Sequence, residues 1–291
     1  MREDDGSVPD RTPESTLGSK LSREHVAALA LVVTVVASAA LLPTLADARP
    51  AYEIPVDYQQ SSADLSEPSG EAWDSVPAAS VPLSSAGASV PAADETSVES
   101  VRVEVARTNE RLYLRLSWAD ATTDTSTDEI SGFADAVAVQ LPANQSERPP
   151  IAMGSTSNRV NVWYWSGTGE HEALLAGGPG TTTEIDEPTL RANATHEDGR
   201  WTVVFSRSMA SDRANVTDVS PNRDMDVALA VWNGSNMERS GRKATSEWYY
   251  LALGPDTGGP PYEAILWSVA GLAIVFTTLV TIEGIRRTRG E

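Results

Sequence analysis

Val98-Glu99-Ser100-Val101-Arg102-Val103-Glu104-Val105-Ala106-Arg107 alternates apolar and polar residues. Thr108-Asn109-Glu110 follows, and then Leu112-Tyr113-Leu114-Arg115-Leu116-Ser117-Trp118 alternates again. Successive side chains of a strand point to opposite faces, so a period of two marks a strand with one buried face. Two such runs joined by a short polar turn predict a β-hairpin. Outward from it, further strands are expected at Ala136–Leu141, Arg159–Trp165, Trp201–Ser206, Val227–Trp232 and Trp248–Leu253. Gly, Pro, Asn and Asp clusters separate them. Many short strands with polar connections predict an all-β fold, an antiparallel β-sandwich. Before the hairpin, Ser84–Glu95 is small and polar, a loop, and Glu71-Ala72-Trp73-Asp74 opens the ordered domain. Residues 49–70, rich in Pro, Ser, Gln and Glu, are expected to form a flexible linker.

Two apolar stretches flank this region. Val26–Leu42 is uncharged, follows Lys20 and Arg23, and runs on to Ala46-Asp47-Ala48, a small-x-small pattern. Residues 26–48 are therefore a cleaved signal peptide or a signal anchor, preceded by a polar leader over 1–25. No twin arginine precedes them. Ala264–Ile282 is also uncharged and, as a helix, about 28 Å long, close to the hydrocarbon thickness of a bilayer. Arg286, Arg287 and Arg289 follow at once, so 264–282 is expected to be a transmembrane helix and 283–291 a cytoplasmic basic tail. Both segments place the main domain, 71–255, outside the cytoplasm at the cell membrane. Four N-x-[ST] sequons (Asn144, Asn193, Asn215, Asn233) accord with that location and say nothing of function.

The 291 residues hold 41 acids against 22 bases, a net charge of −19, and no cysteine. That excludes disulfides, cysteine metal sites and covalent CxxCH haem attachment. So negative a chain has no nucleic-acid partner, and it suits a halophilic setting, where salt screens the repulsion. Only three histidines are present. No GxSxG, HExxH, P-loop or dinucleotide-binding pattern occurs, and paired acids in such a chain read as solvated surface.

Only two bases are lysines, Lys20 and Lys243, so Lys243 is the one lysine of the outer region. Arginine stays protonated, whereas a buried lysine can lose its proton and present an amine lone pair. Met153, in Pro149-Pro150-Ile151-Ala152-Met153-Gly154, offers a thioether, a haem-iron ligand type. Read alone, a methionine beside glycine is core filler and a loop lysine is surface charge. The residues by themselves leave an exported, membrane-tethered β-sandwich.

Three segments together resemble a known family. They are Pro150-Ile151-Ala152-Met153-Gly154 with Asn161-Val162-Trp163-Tyr164-Trp165; Gly199-Arg200-Trp201 through Arg207; and Ala228–Gly234 leading to Arg239-Ser240-Gly241-Arg242-Lys243 and Glu247-Trp248-Tyr249. Over residues 70 to 253 the chain resembles the haem b (γ) subunits of type II DMSO reductase family molybdoenzymes. That resemblance implies a β-sandwich holding one non-covalent haem b, with Met153 and Lys243 as axial ligands to the iron. Met209, Met225 and Met237 are the alternative thioethers. It further implies an electron-transfer subunit without substrate chemistry of its own. The implied partners are a molybdopterin catalytic subunit and an Fe–S subunit, and the C-terminal helix suggests docking beside a membrane cytochrome b. The parent reaction would be a nitrate, DMSO or chlorate reduction, or a hydrocarbon or sulfide dehydrogenation. The rival expectation is a cell-surface β-sandwich that binds carbohydrate or another ligand without haem.

Overall fold

A computed structural model describes residues 52–62, 64–128, 132–254 and 262–289. The leader and the apolar stretch over 26–48 lie outside the described residues. The chain divides into two units, of which Arg49–Thr257 carries the β-structure. Its strands among the described residues are β1 (Glu53–Tyr58), β2 (Ala78–Pro82), β3 (Ser84–Ser85), β4 (Ser100–Arg107), β5 (Arg111–Ala119), β6 (Ala136–Pro142) and β7 (Val160–Ser166). They continue with β8 (His171–Ala176), β9 (Thr183–Glu184), β10 (Arg191–Glu197), β11 (Arg200–Ser208), β12 (Met225–Trp232), β13 (Ala244–Thr245) and β14 (Tyr249–Ala252).

The hairpin that opened the sequence reading is β4–β5, with Arg107 opposite Leu112 and Arg102 opposite Ser117. Thr108 closes its turn: the Thr108 amide donates to the Arg111 carbonyl at 2.9 Å, and its hydroxyl accepts from the Glu110 and Arg111 amides. Hydrogen bonding runs continuously through β10-β11-β5-β4-β1-β14-β12-β6-β7-β8-β9. This sheet curls into two facing layers. Inward side chains of β4, β5 and β11 (Val103, Leu114, Leu116, Phe205) share one core with those of β6, β7 and β12 (Val139, Trp163, Leu229). Trp165 of β7 meets Trp201 of β11 edge-on at 4.9 Å between ring centroids. The architecture is mostly β and sandwich-like.

Two features depart from the sequence expectation. First, the pairing is not wholly antiparallel, because β1 pairs in parallel with β14 over Glu53–Pro55 and with β4 over Val56–Tyr58. Second, β1 lies inside the segment read as a flexible linker. Each half of it is paired along one edge and Ile54 is 1 % exposed, which orders a stretch with little apolar pattern of its own. Leu65, also in that segment, and Trp73, where the ordered domain was expected to open, are buried against Ala106, Tyr113 and Val204 on the outer face of the hairpin.

The other unit contains α1 (Tyr262–Arg289), with Arg286, Arg287 and Arg289 in its last turn. Among the described residues, no helix is long and apolar enough to cross a membrane.

Candidate functional site

On a sandwich the outward residues of each strand ordinarily meet water and are polar. The layer β12-β6-β7-β8 breaks that rule. Opposite Ala230 lies Ala138, and opposite Ala138 lies Tyr164; in the next row Ala228, Gln140, Val162 and Leu174 are neighbours. Ala138, Val160, Val162, Ala176, Ala228 and Trp248 form a second apolar cluster here, separate from the inner core. Two covering segments bring the sequence-predicted residues to this outer face.

The first is the loop before β7. Met153 packs against the outer cluster and sits at a φ of 63°, followed by Gly154 at 73°. That left-handed pair reverses the chain: the Met153 amide donates to the Ile151 carbonyl at 2.8 Å, and the Gly154 amide to that of Pro150 at 2.9 Å. A Cβ on Gly154 would stand 2.7 Å from the Asn158 carbonyl oxygen, so glycine is required there.

The second covering segment runs from Lys243 through β13 to Trp248. β13 pairs with β12, placing Ala244 opposite Val231, and the Lys243 carbonyl accepts from the Ala86 amide at 3.1 Å. The Lys243 ammonium lies 5.0 Å from the centre of the Trp232 ring, which itself packs against the outer cluster. Tyr164 meets Trp232 edge-on at 5.8 Å. Burial lowers the Lys243 pKa below the ordinary lysine value.

Among the described residues, no carboxylate or hydrogen-bond acceptor pairs with Lys243 Nζ. Partly buried and facing the Trp232 ring, that amine stands without a salt bridge in a chain with 41 acids. Met153 and Lys243 thus share one apolar face, a soft thioether and an amine inclined to lose its proton. That donor set fits a six-coordinate haem iron without cysteine or histidine. The other methionines do not reach this face: Met209 and Met225 belong to the inner core, and Met237 is an exposed loop residue.

Sequence reading missed two polar members of the site, Gln140 and Trp248. Gln140 points outward from β6 and donates from Nε2 to the Ile151 carbonyl at 3.0 Å; Trp248 donates from Nε1 to the Pro149 carbonyl at 3.1 Å. The outward Ala-x-Ala of β12 opposite Ala138 was the available signal. Alanine marks neither face, so that signal becomes legible only with the register.

A separate polar knot ties Gly234, at the start of the loop that leads to Lys243, to the sandwich. Asp135 is fully buried and accepts from the amides of Gly234 and Asp124, both at 2.8 Å, and from Trp201 Nε1 at 2.9 Å. Burial outweighs these bonds and, helped by Asp120, raises its pKa from 3.8 to about 6. The folded state therefore holds a proton there that the unfolded chain has released. Stability from this group is full below the unfolded value and is lost as pH rises through about 6, by at most about 3 kcal/mol. Asp135→Asn is expected to remove that part of the pH profile. Melting curves of both proteins that stay parallel between pH 4 and pH 6.5 would refute the assignment.

The family model described as Ethylbenzene dehydrogenase matches residues 70–185 and 176–244, which include Met153 and Lys243. The chain belongs to the ethylbenzene dehydrogenase family. The resemblance carried by the three sequence motifs therefore holds. Among curated members, a respiratory nitrate reductase heme subunit of Haloferax mediterranei is 53 % identical over 275 residues, covering 94 % of this chain and 100 % of the relative. The chlorate reductase subunit gamma of Ideonella dechloratans is 31 % identical, over 66 % of this chain and 81 % of the relative. The dimethylsulfide dehydrogenase subunit gamma of Rhodovulum sulfidophilum is 33 % identical, over 58 % and 66 % respectively. Among solved structures, a family 9 carbohydrate-binding module from Caldicellulosiruptor kristjanssonii matches at 13 % identity and a TM-score of 0.45, over 72 % of this chain and 100 % of that one.

Proposed function

We propose that this chain is the haem b electron-transfer subunit of a molybdopterin oxidoreductase, with Met153 and Lys243 as the axial ligands. The observation that carries the reading is the partly buried Lys243 amine, without a salt bridge among the described residues and set on Trp232, on the same apolar face as the Met153 thioether. Its relatives are named as subunits of nitrate and chlorate reductases and of a dimethylsulfide dehydrogenase. By extension, the partners here are a molybdopterin catalytic subunit and an Fe–S subunit. Met153 and Lys243 would hold the haem between them, and the group would supply one-electron transfer, leaving substrate chemistry to the catalytic subunit.

The protein's own residues bind and exclude. Ala138, Ala228 and Ala230 keep the floor low, and Tyr164 and Trp232 wall it with aromatic surface. Burial holds Lys243 toward its neutral form, so presenting the lone pair costs less than at an exposed lysine. Residues 71–255 are the haem-binding domain in this reading.

Membrane attachment rests on Ala264–Ile282, the uncharged stretch within α1. Its Ile274, Val275, Phe276 and Val280 are exposed large apolar side chains, which lipid would cover. In this reading the arginines that follow lie on the cytoplasmic side, with 283–291 as the tail, and residues 71–255 lie outside the cytoplasm. A protein so acidic also fits a high-salt environment.

The test is a reduced-minus-oxidised spectrum of the full-length chain purified from its native membranes. A b-type haem signal at one equivalent per chain is expected. A chain that shows none, and takes up none on reconstitution, is a surface ligand-binding module instead.

A further inference from the structure

The Met153 loop is held in a conformation it would not choose. Methionine in the left-handed region is disfavoured, and such a residue persists only where its surroundings over-determine it. Much of the usual means is missing, because Pro149 and Pro150 have no amide hydrogen to donate. Their stretch can be pinned from outside only through its carbonyls. Two side chains hold the loop through carbonyls: Gln140 of β6 on that of Ile151 at 3.0 Å, and Trp248, just before β14, on that of Pro149 at 3.1 Å. Beyond the turn, the Gly178 amide donates to the Met153 carbonyl at 2.9 Å.

Trp248 has a second property. It lies five residues after Lys243, at the end of the same covering segment, and is 8 % exposed within the outer cluster. Its indole therefore joins the Lys243 segment to the Met153 loop directly. Gln140 fixes that loop to the sheet floor, in register with Ala228 and Val162. We propose that Trp248 and Gln140 are positioning residues that hold the Met153 thioether at a set distance from Lys243. This rests on the axial-ligand reading above. Neither side chain is a ligand, and both act by limiting how often the thioether swings away.

The experiment measures carbon monoxide association with the ferrous haem of the full-length chain. Carbon monoxide enters only when an axial donor has left, so its rate rises when the thioether is detached more of the time. Trp248→Phe keeps an aromatic ring and loses the N–H; Gln140→Leu keeps an uncharged branched side chain and loses the donor. Each is expected to raise the association rate about fivefold, the effect of one lost hydrogen bond, and together about twentyfold or more. The midpoint potential should move in the direction given by Met153→Ala. A merely structural role would lower the melting temperature and leave rate and potential unchanged. If Met153→Ala raises the rate and neither variant does, the positioning roles are wrong and the ligand stands. If Met153→Ala itself leaves rate and potential unchanged, Met153 is not the ligand and both claims fall.

Discussion

Lys243→Arg is expected to yield a folded protein that no longer retains its haem. Charge, length and most of the packing survive the change, but guanidinium has no lone pair to give at any workable pH. Removing groups that merely support metal ligands weakens binding by 10- to 100-fold, so losing an axial donor should cost about 100-fold or more. Haem titration followed by absorbance measures this, with Lys243→Ala expected to show the same loss and partial rescue by added ethylamine. The wild type carries a second signature. Its lysine must shed a proton to ligate, so haem affinity should fall by about tenfold per pH unit below the lysine pKa of the haem-free protein. Burial moves that pKa down from the ordinary value, which extends the range of strong binding toward neutral pH. The Arg variant should show no such lysine-linked slope. An unchanged spectrum and midpoint potential in Lys243→Arg would remove Lys243 from the iron.

How far this site could be read without coordinates depends on the kind of residue. Lys243 stood out because 20 of the 22 bases are arginine. Only the family resemblance paired it with Met153. The face those residues share could not be read so easily. Ala138, Ala228 and Ala230 are as compatible with an inner face as with an outer one. Only the register of β6 and β12 puts them outward, where a polar residue is expected. Gln140 looked like an ordinary solvent position in an alternating strand, and Trp248 like one more buried aromatic. Asp135 was hidden for the opposite reason: one functional-looking carboxylate among 41 acids carries no sequence mark.

The fold divides along similar lines. The strands β4 and β5 were legible from their period of two, and β6, β7, β11 and β12 as short, largely apolar runs bounded by Gly, Pro, Asn and Asp. By contrast, β10 reads Arg-Ala-Asn-Ala-Thr-His-Glu with no residue fully buried, because it lies at one end of the hydrogen-bonded path. Such a strand is held by its neighbour's backbone and shows little apolar pattern. β1 depends wholly on distant partners, taking Val105–Arg107 on one side and Tyr250–Ala252 on the other. No local pattern over Glu53–Tyr58 announces two parallel pairings of that kind.

The alanine floor gives a prediction independent of either ligand. Ala230 projects outward from β12, is half-buried, and lies between Ala138 on β6 and Thr245 on β13. Phenylalanine at that position directs its ring away from the inner core, into the layer shared by Met153, Trp232 and Trp248. The two sandwich layers are untouched, so the change in unfolding free energy should stay within about 1.5 kcal/mol. Occupancy of the face is another matter. A rigid ring standing on the floor competes for the volume a flat macrocycle needs, and a close-packed site has little slack to yield it. Ala230→Phe is therefore expected to cut haem uptake by about tenfold or more, with Met153 and Lys243 both intact and the melting temperature nearly unchanged. Equal haem loading in Ala230→Phe and wild type would mean that the cofactor does not rest on this face. The two donors would then have to meet their iron somewhere beyond the β12-β6-β7 layer.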